Sequence, residues 1–83
     1  MPHVVVKLAP GSSEEQKKRL AEEIVKDVMS ILNKKEKVIS VALEEVDPSD
    51  WVEKVYRPEI QGKWDTLCKE PGYNPFQEEG TQE

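Results

Sequence analysis

Met1-Pro2-His3-Val4-Val5-Val6-Lys7-Leu8 opens the chain, and how this stretch is read decides the fold. A β-branched run directly after a Pro is a strand that begins at that Pro, where the missing N–H costs no ladder bond. Over residues 2–8 the side chains alternate between two faces, with Pro2, Val4, Val6 and Leu8 on one and His3, Val5 and Lys7 on the other. The first face is almost wholly apolar and needs a cover. Ala9-Pro10-Gly11-Ser12-Ser13 turns the chain through its Pro-Gly pair, and Ser12 or Ser13 can cap a helix, with Glu15 or Gln16 completing a capping box. From residue 14 to about 32, Leu20, Ala21, Ile24, Val25, Val28, Ile31 and Leu32 recur at three- and four-residue steps. That is one stripe of an amphipathic helix. Asn33 tolerates the left-handed conformation of a helix end, and Lys34 and Lys35 suit the negative end of the helix dipole.

Residues 38–46 read as a second strand, with Ile39, Val41 and Leu43 on its core face and Ser40, Ala42 and Glu44 on the other. Strand, long helix, strand in under fifty residues is a βαβ unit, whose right-handed crossover makes the two strands parallel. The fold class is therefore α/β. Asp47-Pro48-Ser49-Asp50 suits a cap with Pro at the first helical position, opening a short helix over residues 51–55 that Pro58 ends. Ile60, Trp64, Leu67 and Cys68 form a further helical stripe, weakened at Gly62 and stopped by Glu70-Pro71-Gly72. Residues 74–83 carry little apolar surface beyond Phe76 and read as a flexible tail.

Composition narrows the function classes. The chain has 83 residues, 36% hydrophobic and 35% charged, which is one small domain with a modest core, so self-association is expected. Two strands alone do not make a stable sheet, and joining the strands of two chains gives a dimer with a four-stranded one. Seventeen acidic against twelve basic residues give a net charge of −5 with no basic stripe, which speaks against nucleic acid and anionic membranes as partners. No apolar run reaches membrane-spanning length, and residues 1–8 do not look like a secretory leader, so a cytoplasmic location is expected. His3 is the only His and has no second His or Cys at ligand spacing, so no metal is expected, and no other cofactor. Cys68 stands alone at helical spacing from Trp64, which suits a small core hydrophobe. Trp51 and Trp64 suit core positions too, and Arg57 suits a solvated helix junction as readily as a carboxylate site.

Pro2 also carries a chemical reading. Cells usually trim Met before a small second residue, and trimming here leaves Pro2 with a free secondary amine, a base that no other residue can supply. Held against an apolar wall, that amine loses solvation of its ammonium form, and its pKa falls toward neutrality, where a general base works best. Retention of Met1 makes the same nitrogen an amide without basicity.

The opening Pro2-His3-Val4-Val5-Val6-Lys7, the helix start Glu14-Glu15-Gln16-Lys17, the second strand Ile39-Ser40-Val41-Ala42-Leu43, Ser49-Asp50-Trp51 and Lys69-Glu70-Pro71-Gly72-Tyr73 together resemble the tautomerase superfamily. Within that superfamily the chain looks closest to the dimeric phenylpyruvate enol tautomerases. The resemblance spans about residues 2–73. It implies a tautomerase-like βαβ domain over residues 1–73 with additional C-terminal helices and a tail over 74–83. It also implies a cofactor-independent isomerase in which Pro2 is the general base acting on the enol of a small 2-keto acid. Two Arg residues that bind a dicarboxylate in the 4-oxalocrotonate branch are matched here by Ser12 and Ser40, and neither supplies the charge. Trp51 falls near an aromatic residue that lines the family's pocket. Substrate binding is accordingly expected of Trp51 and Ser40, on the enol of a small, monoanionic, aromatic 2-keto acid such as phenylpyruvate. Helical patterning in place of the branch's C-terminal hairpin favours a homodimer over a hexamer. Two other readings of the same residues stay open: a Pro-based hydratase or dehalogenase, and a non-enzymatic oligomeric module.

Overall fold

The structure, a computed structural model, describes residues 1–76. It divides into two compact units, Met1–Asp47 and the residues from Pro48 onward. The first unit is the expected βαβ. Strand β1 (His3–Leu8) and strand β2 (Ser40–Glu45) lie side by side and parallel, joined by helix α1 (Glu14–Leu32). His3 pairs with Ser40, Val5 with Ala42 and Lys7 with Glu44 on one face, and Val4 with Val41 and Val6 with Leu43 on the other. The ladder is closed at its two ends by Ser40 N–H donating to the Pro2 carbonyl at 3.2 Å and Val46 N–H donating to the Leu8 carbonyl at 2.9 Å.

Helix α1 begins where its chemistry begins. Of the two candidate caps, Ser13 is the one used: its hydroxyl accepts from Gln16 N–H at 3.0 Å, and its own N–H donates to Gln16 Oε1 at 2.9 Å. The helix ends at Asn33, in the left-handed region at φ 57°, with Lys34 N–H reaching back to the Met29 carbonyl at 3.3 Å. That reach is a Schellman-type end, which an Asn accommodates better than a branched residue would. Lys17, from the first turn of α1, bonds Glu45 of β2 at 2.8 Å. Glu45 shares a face with Val41 and Leu43, so α1 covers the Val4, Val6, Val41 and Leu43 face. Val4 and Val6 are half-buried, whereas His3 and Val5 on the other face are exposed. The second strand is shorter than the pattern over residues 38–46 suggested, because Glu36–Val38 coil into a 3-10 turn before it.

The second unit departs further from expectation. Pro48–Asp50 form a 3-10 turn, and Val52–Gln61 form a wide π-helix that runs through Pro58 rather than stopping there. In an α-helix the Pro58 ring would strike the carbonyl four residues back and leave it without a donor. Widening to the five-residue spacing moves that carbonyl aside, and the end of the helix shows the spacing directly, with Gly62 N–H donating to the Arg57 carbonyl at 2.8 Å. The stripe expected from Ile60 to Cys68 forms only one further 3-10 turn, Trp64–Thr66, and Cys68 is exposed rather than in a core. Among the described residues, Val55 and Tyr56 are the only buried ones, at 5% and 4% exposure. Phe76 lies against the Tyr56 ring, edge to face at 5.5 Å. The rest of the tail expected over residues 74–83, from 77 on, lies outside the described residues.

Candidate active site

Pro2 stands at the head of β1, half-buried, with Met1 before it 95% exposed. Its carbonyl is the acceptor for Ser40 N–H, so the first ladder bond ties the residue before β1 to the first residue of β2. The strand alternation puts the Pro2 ring on the same face as Val4 and Val6, the apolar face that α1 covers. Both features follow from the sequence: a β-branched run fixes the strand, and the capping box fixes where the covering helix starts.

Ser40 and His3 meet on the opposite face. They are directly paired across the ladder, and His3 Nδ1 lies 2.6 Å from Ser40 Oγ. The Ser40 hydroxyl is thus engaged by His3, while its N–H serves Pro2. The two residues were each assignable to that face from the sequence, but only the register brings them together. Ser12, the other position that replaces an Arg of the 4-oxalocrotonate pattern, is half-buried just before the cap residue Ser13. Below the His3–Ser40 pair the same face carries Val5, 42% exposed, and the Lys7–Glu44 pair at 3.9 Å.

Within the second unit, Trp51 is half-buried and its indole N–H donates to the Tyr73 hydroxyl at 2.9 Å. Tyr73 also lies against Tyr56, ring centroids 5.6 Å apart. No periodicity signals this partner, because Tyr73 follows Pro71-Gly72, where the chain has left regular structure. Arg57 is not a free cation: its Nε donates to Glu53 at 2.8 Å and its guanidinium sits 4.6 Å over the Phe76 ring. Trp64, 43% exposed, makes no comparable contact with a described aromatic ring and takes no part in this cluster.

Electrostatically, Lys17 is held above the ordinary lysine range, chiefly by its hydrogen bond to Glu14 and then by that to Glu45. It is a structural link between α1 and β2, not a base. Among the described residues no group of three or more His, Cys, Asp and Glu could hold a metal ion, and no helix is long and apolar enough to cross a membrane.

The family described as tautomerase enzyme matches residues 2–58 of this chain. The chain belongs to the tautomerase family. A probable tautomerase of Xylella fastidiosa (strain 9a5c) is 40% identical over 73 residues, spanning 88% of this chain and 89% of the relative. Tautomerase PptA of Cronobacter sakazakii (strain ATCC BAA-894) is 42% identical over 74 residues, spanning 88% and 97%. Among solved structures, TomN, described as a 4-oxalocrotonate tautomerase homologue in the tomaymycin biosynthetic pathway, superposes with a TM-score of 0.58 at 26% identity. It spans 60% of this chain and 77% of its own. DmpI from Helicobacter pylori superposes with a TM-score of 0.53 at 37% identity, over 55% of this chain and 78% of its own. This tautomerase is an isomerase, and its Pro2 and Ser40 fall inside the family match while Tyr73 and Phe76 fall beyond it.

Proposed function

We propose that this tautomerase converts the enol of a small, monoanionic 2-keto acid of the phenylpyruvate type to its keto form, with Pro2 as the base once Met1 is removed. What supports the reading is the placement of Pro2. Of all groups in the chain, only a free amino-terminal Pro combines a secondary amine, a half-buried position and an apolar strand face. The reaction needs one proton moved between two atoms. Neutral Pro2 nitrogen takes the proton of the enol O–H, and the electron pair left on oxygen forms the C=O bond. The former C=C pair then takes the proton from the Pro2 ammonium at the neighbouring carbon, which restores the neutral amine.

The developing enolate needs hydrogen-bond donors. Ser12 and Ser40 stand where the diacid branch has Arg, so a second carboxylate on the substrate has no cation at these positions. That favours a monoanion. Trp51 supplies aromatic surface for the substrate in this reading; the Ser40 hydroxyl faces away from the Pro2 ring and is engaged by His3, so it is not assigned to the same substrate.

The protein acts as a homodimer in this reading, with strands of two copies joined into a four-stranded sheet. Its support is that no residue of Met1–Asp47 is fully buried and that β1 and β2 each have one ladder edge unpaired among the described residues. Ile31 and Leu32 at the end of α1 are 75% and 54% exposed, apolar area that a second copy could cover. Sedimentation at micromolar concentration reads this directly, and a folded monomer there would remove the dimer.

One experiment tests the base. The intact mass of the purified protein establishes whether Met1 is present, and phenylpyruvate enol turnover is measured by loss of enol absorbance on the trimmed protein and on protein made with the trimming enzyme inhibited. Trimmed protein is expected to be active, with a rate that rises with pH through the titration of the Pro2 amine, and the Met1-bearing form inactive. Equal activity of the two forms would end the assignment of Pro2.

A further inference from the structure

Indole N–H is a donor only, so in the 2.9 Å bond between Trp51 and Tyr73 the direction is settled: Trp51 donates and the phenol oxygen accepts. Without such a partner the N–H of a half-buried indole would bond water instead, and the ring would be free to turn about its two side-chain torsions. What holds the acceptor in place is a run of ring contacts. Tyr73 lies against Tyr56 at 5.6 Å, and Tyr56, 4% exposed, is the best-buried aromatic residue described. Phe76 closes on the other side of Tyr56, edge to face at 5.5 Å, and is itself covered by the Arg57 guanidinium at 4.6 Å. Arg57 in turn is fixed by Glu53. From Glu53 to Trp51, every link is a contact within the second unit, and the links from residues 73 and 76 lie beyond the part of the chain that the family match covers.

We propose that Tyr73 is a positioning residue for the substrate: through its hydroxyl it fixes the plane of the Trp51 indole, and so sets the preference of this tautomerase for enols that carry an aryl group. The inference rests on the proposed role of Trp51 in substrate binding. Aromatic rings prefer offset or edge-to-face contact, and an indole whose plane is preset offers that contact without first losing rotational freedom. A small alkyl side chain is indifferent to the plane of the surface it touches. Aryl and alkyl substrates should therefore respond differently when the tether is cut.

The test uses the full chain with Met1 removed. Catalysed exchange of the C3 hydrogens in D2O is followed by NMR for phenylpyruvate and for 2-oxobutyrate, with wild type, Tyr73→Phe and Trp51→Leu. Tyr73→Phe keeps the ring against Tyr56 and loses only the acceptor. It is expected to raise KM for phenylpyruvate by about three- to tenfold, the scale of one aromatic contact, with kcat within about twofold and both constants for 2-oxobutyrate unchanged. Trp51→Leu is expected to raise KM for phenylpyruvate at least as much. In the nitrogen-labelled protein, the two indole N–H signals come from Trp51 and Trp64, and Tyr73→Phe should move the Trp51 signal alone. If Trp51→Leu raises KM and Tyr73→Phe does not, the positioning role is wrong while the role of Trp51 stands. If Trp51→Leu leaves KM for phenylpyruvate at the wild-type value, Trp51 does not touch substrate and both fall. An unmoved Trp51 signal in Tyr73→Phe would show that the bond is absent in solution, which also overturns the proposal.

Discussion

Gly62→Ala should destabilise the protein, although backbone energetics alone give the opposite sign. Gly in a helix interior is about 1 kcal/mol worse than Ala, and Gly62 sits at φ −70°, ψ −17°, which any residue adopts. At such a compatible site Gly→Ala typically stabilises by about 0.4–1 kcal/mol. Space reverses the sign. A Cβ at residue 62 would lie 2.8 Å from the Pro58 carbonyl oxygen and 2.9 Å from that of Arg57. Carbon and oxygen that merely touch are separated by about 3.3–3.6 Å. Both oxygens belong to the backbone, so no side-chain rotation relieves them. Moving the Arg57 carbonyl also lengthens the 2.8 Å bond that Gly62 N–H makes to it. Overpacking of this kind costs about 1–3 kcal/mol. Set against the backbone gain, the net expectation is a loss of about 1–2 kcal/mol. Equilibrium urea denaturation followed by Trp fluorescence reads it as a lower midpoint at unchanged slope. Wild type and variant must be compared at equal protein concentration, because an associating chain has a concentration-dependent stability. A midpoint equal to or above wild type would refute the reasoning.

Three further outcomes are expected. Ser13→Ala removes one of the two bonds of the α1 capping box and should cost about 1 kcal/mol by urea denaturation, within the usual range of about 0.5–2; a change near zero would mean the cap is idle. Lys17→Met should lower stability at neutral pH. Because Glu14 and Glu45 raise the Lys17 pKa in the folded chain, the wild-type advantage is whole below the ordinary lysine pKa of about 10.4 and shrinks as pH rises through the folded value; an advantage that grows with alkalinity would contradict this. His3→Ala removes an exposed bond to Ser40 on the face away from the Pro2 ring, so phenylpyruvate enol turnover should stay within a few-fold of wild type and stability should fall by about 0.5–1.5 kcal/mol, and a dead His3→Ala enzyme with unchanged Met1 removal would move the base from Pro2 to His3.

The first unit was legible in the sequence because each of its decisions is local. Alternation over residues 2–8 sets which side chains face the helix, Ser13 and Gln16 set where that helix starts, and Asn33 sets where it ends. Parallel pairing then follows from the length of the crossover. The second unit was less legible for a physical reason. Pro58 is a helix breaker only at four-residue spacing, and whether a helix widens to carry it depends on neighbours that no periodicity encodes. The stripe at Ile60, Trp64, Leu67 and Cys68 fitted a helix that did not form, and Cys68 lost its expected place in a core with it. Apolar spacing reports a helix only when something covers the stripe. Ile60 and Leu67 are half-buried while Trp64 and Cys68 are exposed, so the stripe is covered only in part.

The candidate site divides along the same line. Pro2 was visible at once, because its chemistry depends on its position in the chain and not on any partner. Ser40 and Trp51 came from a resemblance, and the structure gives each of them an unforeseen neighbour, His3 for one and Tyr73 for the other. The two neighbours differ in what a sequence could reveal. His3 and Ser40 lie on strands of known alternation, so once the strands are parallel a register that pairs them is one of few choices. Tyr73 has no such constraint, standing after Pro71-Gly72 in irregular chain, and is held by ring contacts to a helix whose own form was unexpected. A hydroxyl that accepts from Trp51 therefore had to be seen in the fold before it could be given a role. That role is also the one most exposed to change, since a single Tyr→Phe replacement alters it while sparing the strand, the cap and Pro2.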